Sequence, residues 1–228
     1  MIFGGLQKFS TIDYPGKLAC VLFTAGCDLD CFYCHNRQLI ARRSVSQPPA
    51  GEVMAFLKKR QGYLEGVVIS GGEPCLQEDL PDFIRQVKAL FYDVKLDTNG
   101  LHKPMVEALI REKLIDYAAV DVKALPRDSQ IICGRADAAD RALETIEMIA
   151  KTGIGYEART TLYPGLTMAQ LKHLARYMPK LRRWRLNYFR EPKLTRKRHA
   201  LLLNGEALTE AAVKAQEELR KIQPNIIV

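Results

Sequence analysis

The sequence predicts an α/β protein in which helices cover a mostly parallel sheet. Three observations carry that prediction. Short, nearly uninterrupted apolar runs alternate with amphipathic stretches about six times along the 228 residues, the pattern of buried parallel strands joined by helical crossovers. Polar, chemically able residues collect just past the C-terminal ends of those runs, the edge on which parallel α/β folds build their sites. No repeat, low-complexity tract or linker divides the chain. Six strand–helix units are fewer than the eight of a closed barrel, so an open or partial barrel, or a doubly wound sheet, fits.

The elements follow in order. Residues 17–24 (KLACVLFT) read as the first strand and 53–60 as a helix. Residues 66–70 (GVVIS) form a buried strand that ends in Gly71-Gly72. The stretch 80–90 places Leu80, Phe83, Ile84, Val87 and Leu90 at helical spacing. A strand over 92–97 closes on Thr98-Asn99-Gly100, a helix follows over 104–113, and 117–122 is the next apolar strand. Helix 138–152 is stopped by Gly153 as a C-cap. Strand 156–162 halts at Pro164-Gly165, followed by helix 168–177, strand 184–189 and a terminal helix over 206–222. Residues 192–204 read as a loop. We therefore expect a catalytic unit over 1–190, with 191–228 a basic loop and helix packed on it.

Composition narrows the function classes. At 47% hydrophobic and 26% charged residues the chain is of ordinary globular make-up. It has no stretch approaching the roughly 20 apolar residues that span a bilayer, and residues 1–16 do not read as a signal peptide. A cytoplasmic location follows, where cysteines are more often free, metal-bound or catalytic than paired. The net charge of +8 is local: residues 180–200 hold nine cations and one acid. Such a segment suits an acidic protein partner or a solvated loop. The aromatic residues Trp184, Tyr188 and Phe189 within it admit a nucleic-acid reading, but they fall on a predicted buried strand, which argues against it.

The chemistry centres on Cys27, Cys31 and Cys34. Three thiols at spacings of four and three, in a loop after a strand, can wrap one face of a metal centre. Thiolates suit iron–sulfur clusters or zinc. A cluster of four irons held by three cysteines keeps one iron open for a ligand. Blander readings are a zinc site completed by His35, a haem attachment motif or a redox pair. Cys20, Cys75 and Cys133 are isolated and read as small buried hydrophobes.

The Cys27-x3-Cys31-x2-Cys34 spacing, with Tyr33 before the last cysteine and Gly71-Gly72-Glu73-Pro74 after the next strand, resembles the radical S-adenosylmethionine (SAM) superfamily. Asp97-Thr98-Asn99-Gly100, Asp121-Val122-Lys123 and the segment from Arg159 to Gly165 resemble blocks of the glycyl-radical-enzyme activases, pyruvate formate-lyase activase among them. The opening Gly4-Gly5-Leu6-Gln7-Lys8, then Ile12-Asp13-Tyr14-Pro15-Gly16-Lys17, and Cys34-His35-Asn36 resemble the anaerobic ribonucleoside-triphosphate reductase activating group most.

The resemblance implies a partial (βα)6 barrel and a [4Fe–4S] cluster on Cys27, Cys31 and Cys34. The open iron would chelate SAM, and one electron would split SAM into methionine and a 5′-deoxyadenosyl radical. That radical would take a hydrogen from a backbone glycine of a partner enzyme. Flavodoxin or ferredoxin would supply the electron. The SAM-binding residues expected are Tyr33, Gly71, Gly72, Glu73, Asp97, Asn99, Asp121, Lys123, Arg159 and Asn187. Glu73 would pair with the ammonium of SAM, Arg159 would bind SAM or pair with Asp121, and Asn99 would bind or only form a turn. Asn187 stands where the pyruvate formate-lyase type carries a histidine nearby. The competing function is a radical SAM enzyme acting on a small molecule; a metal-stabilised binding module without turnover is a third reading.

Overall fold

The structure, a computed structural model, describes residues 1–41, 48–193, 196–204, 207, 213 and 216–228. It contains one eight-stranded sheet in sequential order, from β1 to β8. The strands are β1 (Phe3–Ser10), β2 (Ala19–Thr24), β3 (Gly66–Gly71), β4 (Asp93–Thr98), β5 (Tyr117–Asp121), β6 (Gly155–Leu162), β7 (Trp184–Tyr188) and β8 (Ile226–Ile227). β1 runs antiparallel to β2, and every later neighbour is parallel. β1 and β8 do not pair with each other, so the sheet stays open at one seam.

All six predicted strands are present as β2 to β7. The sequence reading did not include β1, whose mostly half-buried or exposed residues lack a strong apolar period, or the two-residue β8. The crossover helices are α1 (Ala50–Arg60), α2 (Leu80–Lys88), α3 (Lys103–Arg111), the short α4 (Ser129–Cys133), α5 (Ala138–Ala150) and α6 (Met168–Tyr177). Local chemistry sets their starts. Pro81 and Pro104 occupy first-turn positions of α2 and α3, and Thr167 forms a capping box with Gln170 on α6. Of the predicted terminal helix, part lies outside the described residues; α7 (Gln216–Arg220) is described. The stretch expected as a loop over 192–204 contains a 3-10 helix, Lys197–Asn204.

Strand alternation separates two faces. One carries Leu22, Ile69, Leu96, Val120, Ala158 and Leu186 into the main core beneath the helices. Each such fully buried Leu, Ile or Val side chain stabilises the fold by about 1.5–3 kcal/mol. The other face is concave. At its N-terminal end Tyr14, Ala19, Val21 and Val68 form a separate apolar plug; towards the C-terminal end it is charged.

Candidate functional site

The charged part of the concave face comes from three neighbouring strands. Lys95 and Asp97 project from β4, Asp121 closes β5, and Glu157 and Arg159 lie on β6 two residues apart. Asp121 stands in register with Arg159. Arg159 bridges Asp97 at 2.7 Å and Asp121 at 2.8 Å, while Lys123 meets Asp121 at 2.9 Å and Lys95 meets Asp97 at 2.7 Å. Glu157 continues the ladder towards Lys95 at 3.9 Å and Arg183 at 3.2 Å. Burial pushes the Asp97 and Asp121 carboxyls up, but Arg159, with Lys95 on Asp97 and Lys123 on Asp121, outweighs it and holds both below the usual carboxylate range.

The loop after β2 brings the cysteines over this ladder. Gly26 leads into Cys27. A Cβ on Gly72 would lie 2.1 Å from the Gly26 carbonyl oxygen, so the two loops touch only because Gly72 has no side chain. Glu73 N–H donates to that same oxygen at 2.7 Å. Asp28 is held by Asn99 at 2.8 Å and His102 at 3.1 Å, and Asp30 by Arg37 at 2.6 Å and Arg196 at 2.8 Å. Phe32 packs edge-on against Tyr33 and Tyr163, which stack on each other at 5.1 Å. Burial pushes the Cys27 and Cys34 thiols up; Cys31 is raised first by its hydrogen bond to Cys133 and then by burial.

Together these groups line a cleft of about 260 Å³. Of the predicted site residues it gathers Cys27, Cys31, Tyr33, Cys34, Gly71, Gly72, Asp97, Asn99, Asp121, Lys123 and Arg159. Two stand elsewhere. Glu73 is fully buried and does not line the cleft: its carboxylate accepts from Thr98 Oγ1 at 2.7 Å, Asn99 N–H at 2.7 Å and Cys75 N–H at 3.0 Å. Through these bonds it braces the loops after β3 and β4 against each other. Asn187 lines an adjoining cavity of about 770 Å³ that reaches Gln7 of β1 and Ile227 of β8 at the open seam. Asn99 forms the turn offered for it, its Oδ1 accepting from Leu101 N–H while its amide holds Asp28, and it also lines the cleft.

The sequence reading missed Ser70, Thr161, Tyr188 and Arg190, which also line the cleft. Thr161 was signalled by its two-residue offset from Arg159. Cys133, read as a small buried hydrophobe, is 1% exposed and packs in the main core. The basic segment is not one free patch. Arg183 turns towards Glu157, Arg182 reaches the Gly153 and Ile154 carbonyls, and Arg196 pairs with Asp30. Trp184 is buried, but Tyr188 is 51% exposed and stands at the cleft.

Among the described residues no three His, Cys, Asp or Glu side chains are arranged to hold a single metal ion. The donors on offer are three thiols on one lip, a cationic wall of Lys123 and Arg159, and a buried Tyr33 hydroxyl with no hydrogen-bond partner among the described residues. Soft sulfur donors beside a cationic wall suit a thiolate-bound cluster next to a carboxylate-bearing ligand.

Comparison with known proteins agrees with that chemistry. The family model described as Radical SAM superfamily matches residues 21–178. A Methanocaldococcus jannaschii protein named as a candidate glycyl-radical enzyme activating enzyme is 36% identical over 70% of this chain and 68% of its own. A Pyrococcus abyssi protein assigned as a GTP 3′,8-cyclase is 24% identical over 71% of this chain and 52% of its own. The pyruvate formate-lyase 1-activating enzyme of Escherichia coli K12 is 27% identical over 72% and 70%. Among solved structures, Streptococcus suis SuiB bound to S-adenosylmethionine superposes with a TM-score of 0.66 at 18% identity, over 89% of this chain and 48% of that one. The chain thus spans about half the length of that structure, and the likeness is one of fold.

Proposed function

Because the chain belongs to the radical SAM superfamily, whose cofactors are a [4Fe–4S] cluster and SAM, we propose that it activates a glycyl-radical enzyme by removing a hydrogen from a backbone glycine. We propose further that the partner is the anaerobic ribonucleoside-triphosphate reductase. The observation that carries the first statement is a pair of adjoining cavities: the cleft holding the three cysteines shares His35, Asn36, Arg159, Tyr188 and Arg190 with the larger cavity that reaches the open seam of the sheet. That arrangement suits a substrate delivered on another protein, whereas a small-molecule enzyme calls for an enclosed pocket. The relative at 36% identity supports the same reading by its name. The partner rests on the resemblance of residues 4–8, 12–17 and 34–36 alone.

The roles assigned are these. Cys27, Cys31 and Cys34 hold the cluster, which when bound supplies the electron that cleaves SAM to a 5′-deoxyadenosyl radical. Lys123 and Arg159 receive the carboxylate of SAM. Their charges are already part-matched by Asp121 and Asp97, so the ligand meets a fixed wall rather than mobile cations. The backbone of Gly71 and Gly72 lies at the cleft and is open to an ammonium. Asp97 and Asp121 keep Arg159 in place, Tyr33 forms the nucleoside side, and Glu73 and Asn99 hold the loops together. Asn187, in the adjoining cavity, stands where the partner's segment enters. Flavodoxin or ferredoxin is the proposed electron donor, and the cytoplasm the proposed location; among the described residues no helix is long and apolar enough to cross a membrane.

The test is electron paramagnetic resonance after mixing the reconstituted protein with SAM, dithionite and the anaerobic ribonucleotide reductase. A glycine-centred doublet on the reductase is expected. A doublet only on pyruvate formate-lyase would transfer the partner while keeping the activity. SAM cleavage with no glycyl signal on any such enzyme would remove the activase reading in favour of a small-molecule substrate.

A further inference from the structure

We propose that Arg37 is a positioning residue for the cluster, its buried guanidinium setting the spacing of Cys31 and Cys34 from behind the cysteine loop. The inference rests on the assignment of the three cysteines to the cluster and goes beyond it. It does not depend on which partner is activated.

The turn that follows the cysteines closes back on all three. Arg37, Gln38 and Leu39 form a 3-10 turn. The Leu39 carbonyl accepts from Gly26 N–H at 2.6 Å, one residue before Cys27. The Cys31 carbonyl accepts twice, from Cys34 N–H at 3.1 Å and from the Arg37 guanidinium. A second guanidinium nitrogen donates to Asp30 Oδ1 at 2.6 Å, and the other oxygen of Asp30 takes Arg196 at 2.8 Å. One planar group therefore grips two adjoining residues, Asp30 by its side chain and Cys31 by its backbone. The turn is itself anchored: Leu39 packs so closely on Gly4 of β1 that a Cβ there would fall 2.2 Å from its Cδ2.

Packing alone does not account for an arginine here. Arg37 is 8% exposed and does not line the cleft. Its Nε is buried with no hydrogen-bond partner among the described residues. Burying a cation with an unmet donor costs stability that an apolar side chain of similar volume avoids. What the guanidinium supplies is a rigid fork. That fork fixes the same carbonyl that Cys34 N–H uses, so the backbones of two ligating cysteines are locked together before any iron arrives. Groups placed behind metal ligands typically change metal affinity about 10–100-fold.

The test compares Arg37→Met, which keeps much of the volume without the fork, with Arg37→Lys, which keeps the charge without the fork. Tyr92→Phe serves as the control, since it removes a buried hydrogen bond of 2.7 Å to the Leu57 carbonyl, away from the cleft. Each protein is reconstituted anaerobically with iron and sulfide, and iron loss to an excess of ferrous chelator is timed. Arg37→Met is expected to lose iron about tenfold faster than the parent, Arg37→Lys at a rate between the two, and Tyr92→Phe close to the parent. The electron paramagnetic resonance lines of the reduced cluster should broaden in Arg37→Met, because loosely spaced thiols admit several geometries, and stay sharp in Tyr92→Phe. An Arg37→Met rate equal to that of the parent overturns the proposal. So does an equal acceleration in Arg37→Met and Tyr92→Phe, which would reduce the residue to general stability. If metal-free Arg37→Met shows no cooperative melt, Arg37→Lys decides alone: iron loss faster than in Tyr92→Phe sustains the proposal, and the parent's rate overturns it. Iron uptake by the parent reads the cluster assignment itself, the ratio of variant to parent reads Arg37, and neither uses a glycyl radical.

Discussion

Replacing Gly72 by alanine tests whether the two loops of the site are one mechanical unit. The added carbon would lie 2.1 Å from the Gly26 oxygen, where real contacts essentially never fall below 3.0 Å, so the loops must part by roughly 0.9 Å. Neither side can yield by rotating a side chain, since the obstructing atoms are backbone. Overpacking of this kind costs about 1–3 kcal/mol. The Glu73-to-Gly26 hydrogen bond of 2.7 Å stretches with it, adding about 0.5–1.5 kcal/mol. The sum, about 1.5–4.5 kcal/mol, lowers the melting temperature of a chain this size by about 3–18 °C. Thermal unfolding of the metal-free protein by circular dichroism reads that shift. Iron per chain after anaerobic reconstitution reads the second consequence, because Gly26 directly precedes Cys27 and its displacement splays the three thiols. A Gly72→Ala protein that melts within about 2 °C of the parent and loads the same iron would refute the coupling.

Other outcomes follow from the ladder and the cysteines. Arg159→Met leaves the buried Asp97 with Lys95 alone and Asp121 with Lys123 alone and is expected to cost about 1.5–3 kcal/mol in urea unfolding; Arg159→Lys should not restore it, because one ammonium cannot fork to both. Asp97 and Asp121 titrate below their unfolded values, so their contribution is complete above about pH 4 and is lost as pH falls through the lowered values. Asp121→Asn should therefore be less stable at neutral pH and show a shallower acid limb in a pH series of denaturation curves. Cys34→Ala should lose the iron content measured after reconstitution, whereas Cys20→Ala, whose thiol is buried in β2 away from the cleft, should keep it.

The parallel core was readable because β2, β3 and β5 are almost wholly apolar, β4, β6 and β7 keep their apolar residues at alternate positions, and the helices keep a clean period. β1 was not, since its residues sit largely half-buried at an edge and its apolar content is diluted by Gly4 and Gly5. The site showed a similar split. Eleven of the thirteen expected residues line the cleft because each lies at or near the end of a parallel strand, a position the sequence marks. Glu73 belongs to the same motif, but residue type alone does not reveal that Thr98 and Asn99 take up its carboxylate. Helix α4 was invisible for a different reason: at five residues it is too short to carry a period. Lys95 and Glu157 carried a usable signal, a charge on the same strand face as Asp97 and Arg159 respectively, two residues before each.

The interlocked charges of β4, β5 and β6 also limit how such a scaffold diversifies. Arg159 serves two carboxylates and Asp121 two cations, so altering any one member leaves its partners with unbalanced charge away from water. Viable changes there must arrive in compensating sets, a slow route for drift. The rim at Asn187, Tyr188 and Arg190 has no such ties among the described pairs. A lineage adapting this barrel to a new target can therefore vary the rim freely while the ladder stays frozen.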